Sequence, residues 1–150
     1  MKVLVAVDGS QEALAAVDRA RELWAANPDV EFVIVYVRRP AVLAYPPGAS
    51  GMGAAAYDPV LLQELEVASL QEAQRVLEHA QRRLDVEPAR VERVEEVGRT
   101  AERILATAGA HGADLIVMGR RGLHGLSRLL VGSVSKAVLD RSPVPVLICP

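Results

Sequence analysis

Cysteine and aromatic residues are scarce in this 150-residue chain. Cys149 stands alone, which excludes an internal disulfide and a cysteine-built zinc cluster. Only five rings occur, at Trp24, Phe32, Tyr36, Tyr45 and Tyr57. They are too few and too scattered to form the base-stacking platform of a single-strand binder, and they leave the core to aliphatic side chains. A basic excess is also missing: 17 Lys and Arg face 19 Asp and Glu, for a net charge of −2. That balance argues against a duplex-binding surface. Long apolar runs are absent. The first run, 3–7, stops at Asp8 and is too short for the apolar region of a signal peptide. The longest uncharged stretch, 40–57, carries three prolines and three glycines, which rules it out as a membrane helix. These absences predict a soluble, cytoplasmic protein with neither a nucleic-acid partner nor a membrane partner.

What is present suits one globular domain over 1–150, with 51% hydrophobic and 24% charged residues. Short β-branched runs alternate with helical patterns. Residues 3–7 read as a strand buried on both faces. Asp8-Gly9-Ser10 breaks that strand, and Ser10 suits the N-cap of a helix over 11–26, with Leu14, Val17, Ala20 and Trp24 on one face. A second strand follows at 32–37. Residues 40–58 form a long flexible loop rich in Ala, Gly and Pro. Pro59 opens a helix whose inward face runs through Leu62, Leu65, Ser69, Ala73, Val76, Ala80 and Leu84. Strands at 90–97, 115–118 and 144–148 and helices at 100–111 and 133–140 complete the pattern, with Gly112 ending the 100–111 helix. The alternation predicts an α/β fold, a parallel five-stranded sheet with helices on both faces. Ligands of such sheets bind at the carboxyl ends of the strands, where strand order reverses. The loops after the first and fourth strands are therefore the candidate sites.

The fourth-strand loop carries the strongest motif. Gly119-Arg120-Arg121-Gly122 is followed, after nine residues, by Gly132-Ser133. Glycine permits positive φ and close approach of backbone N–H groups to an anion. Ser133 falls where a helix begins, and a helix start offers unpaired N–H groups and a positive dipole end. Together these features suit a polyphosphate. The spacing Gly-x2-Gly-x9-Gly-Ser resembles the ATP-binding branch of the universal stress protein family. The first strand with Asp8-Gly9-Ser10, the segment from Ala113 to Gly119 and the segment from Ser142 to Ile148 are similar to that family as well.

The resemblance implies an open, Rossmann-like sheet of order 3-2-1-4-5, the adenine nucleotide alpha-hydrolase-like fold. It implies that Ala6, Val7 and Asp8 line an adenosine pocket, with Asp8 accepting from the ribose hydroxyls, and that Val37 meets the adenine edge. Met118 and Gly119 would flank the ribose. Gly122, Gly132, Ser133 and Ser135 would hold phosphates, with Arg120, Arg121, Gly125 and Val134 in the same loop and helix start. ATP is the implied ligand, with Mg held through its phosphates, and a homodimer through strand 144–148 is the implied assembly, serving an unknown protein partner.

Plainer readings stand beside these. The glycines suit ordinary turns, Asp8 suits a helix cap, and the strip Arg120, Arg121, His124 and Arg128 suits a solvated surface. Lys136 reads as solvated, His79 and His111 as structural or exposed, and Cys149 as a small residue at the last strand. The three histidines are too scattered for a protein-built metal site. Gly48, Gly51 and Gly53 follow no strand, so they form no dinucleotide fingerprint. P-loop, nucleophile-elbow and kinase signatures are all missing. With no general base or transferring nucleophile in evidence, the expected role is nucleotide-dependent regulation in a stress response rather than fast catalysis. A weak ATPase or self-phosphorylating enzyme using Ser133 or Ser135, and a nucleotide-free interaction module, stay open beside it.

Overall fold

The computed structural model describes residues 1–39, 59–122 and 131–150. The expected loop over 40–58, and Gly125, His124 and Arg128 of the glycine loop, lie outside these described residues. Elements alternate along the chain. The first half comprises β1 (Lys2–Val7), α1 (Gln11–Trp24), β2 (Glu31–Arg38) and α2 (Pro59–Leu84). After a 3-10 turn at Pro88–Arg90 come β3 (Val91–Val97), α3 (Thr100–Ala110), β4 (Leu115–Gly119), α4 (Ser133–Arg141) and β5 (Val146–Cys149).

All strand pairs are parallel, and the order is β3-β2-β1-β4-β5. β1 is central, and Val3, Leu4 and Val5 are fully buried. Its alternating side chains feed two cores. Val3 and Val5 join Phe32 and Ile34 beneath α1 and α2. Leu4 joins Val33, Val35 and Ile116 beneath Ile104 and Ala108 of α3 and Val138 of α4. Both faces of the sheet are thus covered, which explains why β1 and β2 read as continuous apolar runs rather than alternating ones.

Helix boundaries follow local chemistry. Ser10 caps α1, its Oγ accepting from the Ala13 N–H at 3.1 Å. Gly112, at φ +62°, ends α3 as a left-handed residue after the cap at His111. Strand β5 starts two residues later than the sequence predicts. Ser142 Oγ closes a local turn, donating to the Val144 carbonyl at 2.7 Å, and Pro145 has no N–H for a ladder. Strand β3 starts at Val91, because the Pro88–Arg90 turn takes up Arg90. Arg90 then pins the connection between α1 and β2, donating to the carbonyls of Ala25, Asn27 and Val30. Cys149 is buried at the end of β5, and its thiol pKa is pushed up by burial. Lys136 is solvated and pairs with Asp140 at 2.7 Å.

Candidate functional site

The register brings three strand ends together. Val7 lies beside Tyr36, and Ala6 lies beside Met118. Beyond β1, α1 leaves toward one face of the sheet. Beyond β4, the chain leads to α4 on the other. A cleft of about 450 Å³ opens at this divergence, within the range of small-molecule sites.

Of the residues singled out in the sequence, Ala6, Val7, Asp8 and Val37 line one part of the cleft. Met118, Gly119, Arg121 and Gly122 line its middle, and Gly132, Ser133, Val134 and Ser135 line the far end. Arg120 is not in the lining. Its contribution is through the backbone: the Arg120 N–H donates to the Cys149 carbonyl at 2.7 Å, and its carbonyl accepts from the Gly132 N–H at 2.9 Å. Arg120 therefore ties the ends of β4 and β5 to the start of α4. Gly125 lies outside the described residues.

The start of α4 is built for an anion. Gly132 is its N-cap and supplies no side-chain cap, and the first bond within the helix runs from Lys136 N–H to the Gly132 carbonyl. The N–H groups of Ser133, Val134 and Ser135 therefore have no partner within the helix, as at any helix start. The Ser135 side chain turns the other way. It is buried, and its Oγ lies 2.9 Å from the Gly119 carbonyl and 3.1 Å from that of Arg120. With a single proton, the hydroxyl donates to one of these at a time. Ser133 is exposed at the helix tip.

The glycines are required by contact rather than by φ. Positive φ occurs at Gly9, Gly98 and Gly112, and Gly132 has φ −62°. A Cβ on Gly119 would lie 2.7 Å from the carbonyl carbon of Glu12 in α1. On Gly132 it would lie 3.2 Å from the Arg120 carbonyl oxygen, and on Gly122 2.1 Å from Asp8 Oδ2. Asp8 Oδ1 accepts from the Ser10 N–H at 3.0 Å, so one carboxylate braces the β1–α1 turn and faces the glycine loop. The helix cap itself is Ser10 and not Asp8, which braces the turn ahead of it.

Several lining residues were not among the site residues expected from the sequence. Thr100 and Ile104 of α3 face the cleft, as do Ser69 of α2 and Tyr36, Arg38 and Arg39 at the end of β2. Tyr36 is half-buried, and its hydroxyl pKa is raised, first by burial and then by the nearby charges of Glu72 and Asp8. Arg38 is only 6% exposed. Its Nε donates to Glu95 Oε1 at 2.5 Å and its Nη1 to Glu66 Oε1 at 2.8 Å. Burial works against the charged guanidinium, but the two carboxylate hydrogen bonds outweigh it and hold the pKa above the usual arginine value. A smaller hollow of about 280 Å³, lined by Gly98, Arg99 and Ala101, adjoins the cleft and shares Arg39, Thr100, Ser133 and Val134 with it. Among the described residues no cluster of His, Cys, Asp or Glu could hold a metal ion, and no helix is long and apolar enough to cross a membrane.

Fold and cleft define an open, doubly wound α/β protein with its site at the topological switch point. The particular family follows from comparison. The model of the universal stress protein family matches residues 1–150, and the chain belongs to that family. It is 34% identical over 148 residues to universal stress protein YxiE of Bacillus subtilis, covering 98% of this chain and 97% of that protein. Among solved structures it is similar to UspA from Lactobacillus plantarum, with a TM-score of 0.78 and 27% identity, covering 100% of this chain and 97% of that one. It is likewise similar to a universal stress protein in complex with cAMP, with a TM-score of 0.69 and 26% identity over 100% of this chain and 97% of that one.

Proposed function

We propose that this protein binds an adenine nucleotide, ATP foremost, in the switch-point cleft and acts as a nucleotide-dependent regulatory module. The carrying observation is the start of α4. The N–H groups of Ser133, Val134 and Ser135 have no side-chain cap and belong to residues that line the cleft with Gly122 and Gly132, so a phosphate chain can approach bare backbone. Support also comes from the relative solved with cAMP. In this reading the phosphates lie on Gly122, Gly132 and the N–H groups of Ser133–Ser135, with Arg121 alongside. The ribose hydroxyls donate to Asp8, beside Met118 and Gly119. The base lies past the end of β1, against Val37. Mg²⁺ would be held through phosphate oxygens, since Asp8 is the one carboxylate lining the cleft among the described residues.

Among the described residues, the cleft lining holds no histidine and one carboxylate, Asp8. Of the two histidines among the described residues, His79 is exposed on α2, and His111 Nδ1 lies 3.1 Å from Glu92 Oε2 at the far end of α3. In this reading the nucleotide acts as a signal that fills the cleft. The proposal includes a cytoplasmic homodimer joined through strand 144–148. It rests on β5 being a sheet edge with half-buried Val146, Leu147 and Ile148, a surface for a second copy ahead of the unknown partner protein.

The test is to denature freshly purified protein, identify released nucleotide by chromatography, and titrate ATP with and without magnesium. Retained adenine nucleotide, or saturable ATP binding that is lost in Gly132→Val, supports the proposal. No retained nucleotide and no saturable binding overturns it, and the nucleotide-free interaction module then takes its place.

A further inference from the structure

The cleft continues into the hollow of about 280 Å³ across a wall the two share, made by Arg39, Thr100, Ser133 and Val134. Strand alternation sends Arg39 to this wall. Tyr36 packs against the core beneath α1 and α2, and Val37 packs against the core beneath α3 and α4. Arg38 turns back to Glu66 of α2. The next residue, Arg39, therefore falls on the side of α3 and α4. Its departure from the sheet is fixed, because the Gly98 N–H donates to the Arg38 carbonyl at 3.0 Å and holds the chain up to the residue before it. Among the described residues two arginines, Arg39 and Arg99, line the hollow and no carboxylate does.

The arginines differ in what already engages them. Of the three that line the cleft, Arg38 donates to Glu66 and Glu95, and Arg121 has a partner within the protein. In the hollow, Arg99 turns to Glu102 at 3.4 Å, with its side chain 81% exposed. Arg39 is exposed and makes no hydrogen bond or ion pair to another described residue. Its whole fork of donors faces a space that borders Ser133, and a guanidinium fork matches two oxygens of one phosphate. Resting on the nucleotide reading above, we propose that Arg39 is a specificity-determining residue that receives the outer phosphates of a nucleoside polyphosphate in the hollow beyond Ser133. The inner phosphate lies against the loop glycines and the start of α4, and the outer end of the chain passes Ser133 to reach Arg39. A monophosphate ends before the hollow and leaves Arg39 in water. The site therefore prefers a long phosphate chain to a short one.

Wild type, Arg39→Gln and Lys2→Gln are titrated with ATP and AMP, with thermal melting as the fold control. Lys2 opens β1 at the opposite end of the sheet and pairs with Glu31 at 3.1 Å, so its variant removes the same charge away from the cleft. Wild type is expected to bind ATP about tenfold or more tightly than AMP. Arg39→Gln should weaken ATP binding about tenfold, the scale of one charge-assisted contact, and leave AMP affinity within about twofold. Because Arg39 is exposed, the variant should melt with wild type. Lys2→Gln should keep both affinities. Unchanged ATP affinity in Arg39→Gln overturns the inference, and so does a wild type with no preference for ATP over AMP. An equal loss for ATP and AMP also overturns it, since Arg39 would then act on the part the two ligands share. A matching ATP loss in Lys2→Gln overturns it as well, since net charge alone would account for the effect. Each of these results leaves nucleotide binding standing. A wild type that binds neither ligand brings down the nucleotide reading and this inference with it.

Discussion

At Gly119 one added methyl carbon would sit 2.7 Å from the Glu12 carbonyl carbon and 2.8 Å from its oxygen. Both are backbone atoms of α1 and cannot step aside without moving the helix. Gly119→Ala is therefore expected to lower stability by about 1–3 kcal/mol, the cost of overpacking a tight contact, read as a drop in the urea midpoint. Gly122 is the contrasting case. Its added carbon would meet Asp8 Oδ2 at 2.1 Å, and the side chain can turn away only by giving up the Ser10 N–H that its Oδ1 accepts. Gly122→Ala should lower the urea midpoint less than Gly119→Ala does and weaken ATP binding about tenfold or more, because both the glycine cradle and the ribose acceptor are displaced. If the two substitutions give the same profile, the distinction between a packing glycine and a ligand glycine is wrong. Thr107 is a third test, away from the site. It is 2% exposed, and its Oγ1 has no hydrogen-bond partner among the described residues. Thr107→Val removes an unsatisfied buried hydroxyl while keeping the shape, and should raise stability by about 1 kcal/mol. The spacing of the loop glycines was legible in the sequence, but the reason for them was not. Positive φ can be inferred from residue type, whereas contact with α1 or Asp8 exists only after folding. Arg38 was hidden for the same reason. In the sequence it is a charge at the end of an apolar run, and its partners lie 28 and 57 residues away.

Helix starts divide the labour among the elements. α1 is capped by its own Ser10 and needs nothing further. α4 has no side-chain cap, and its buried serine is turned inward to hold the ends of β4 instead. Ser135→Ala should cost about 1 kcal/mol of stability by leaving a carbonyl short of its donor. Ser133 and Ser135 lie in the same first turn on opposite sides of the helix, and Ser135 shares its side with buried Val138, three residues on. The alternation of elements was legible throughout, because buried parallel strands and amphipathic helices have distinct periods. The one- and two-residue shifts at β3 and β5 came from turns closed by Pro88, Ser142 and Pro145, whose reach depends on local hydrogen bonds. Between α1 and α2 an ion pair adds a pH-dependent link. Arg83 donates to both oxygens of Asp18, at 2.7 and 2.6 Å, and that hydrogen bonding to Arg83, with burial opposing, lowers the Asp18 pKa below 3.8. A carboxyl depressed in the fold stabilises it at every pH above the unfolded value and loses that contribution as pH falls through the folded one. Asp18→Asn should thus be less stable than wild type at neutral pH, and the difference should close as the pH drops below 3.8. A gap that stays constant down to the acid limit would show that the pair contributes packing rather than charge.

For the molecule as a whole, the switch point makes the cleft a junction of separate structural units. Its walls come from β1, β2 and β4, from α1 and α2 on one face of the sheet, and from α3 and α4 on the other. A ligand that reaches from the start of α4 to the end of β2 touches both cores at once. It should therefore stabilise the fold as one cooperative unit rather than order a single loop. Linkage sets the size of the effect: at a hundredfold excess over Kd, a ligand specific to the folded state adds about 2.7 kcal/mol, roughly 5–10 °C in Tm for a chain of this length. ATP should raise Tm by that amount in a single sharpened transition. Tripolyphosphate at the same multiple of its own Kd gains the same free energy if it too binds only the folded chain. The discriminating observable is then hydrogen exchange rather than Tm. Under ATP, protection should rise in the amides of α2 around Ser69 as well as at the start of α4. Under tripolyphosphate it should rise at α4 and leave α2 unchanged. Protection confined to α4 with both ligands would place the nucleoside outside the base end of the cleft and reduce the switch-point site to a phosphate cradle.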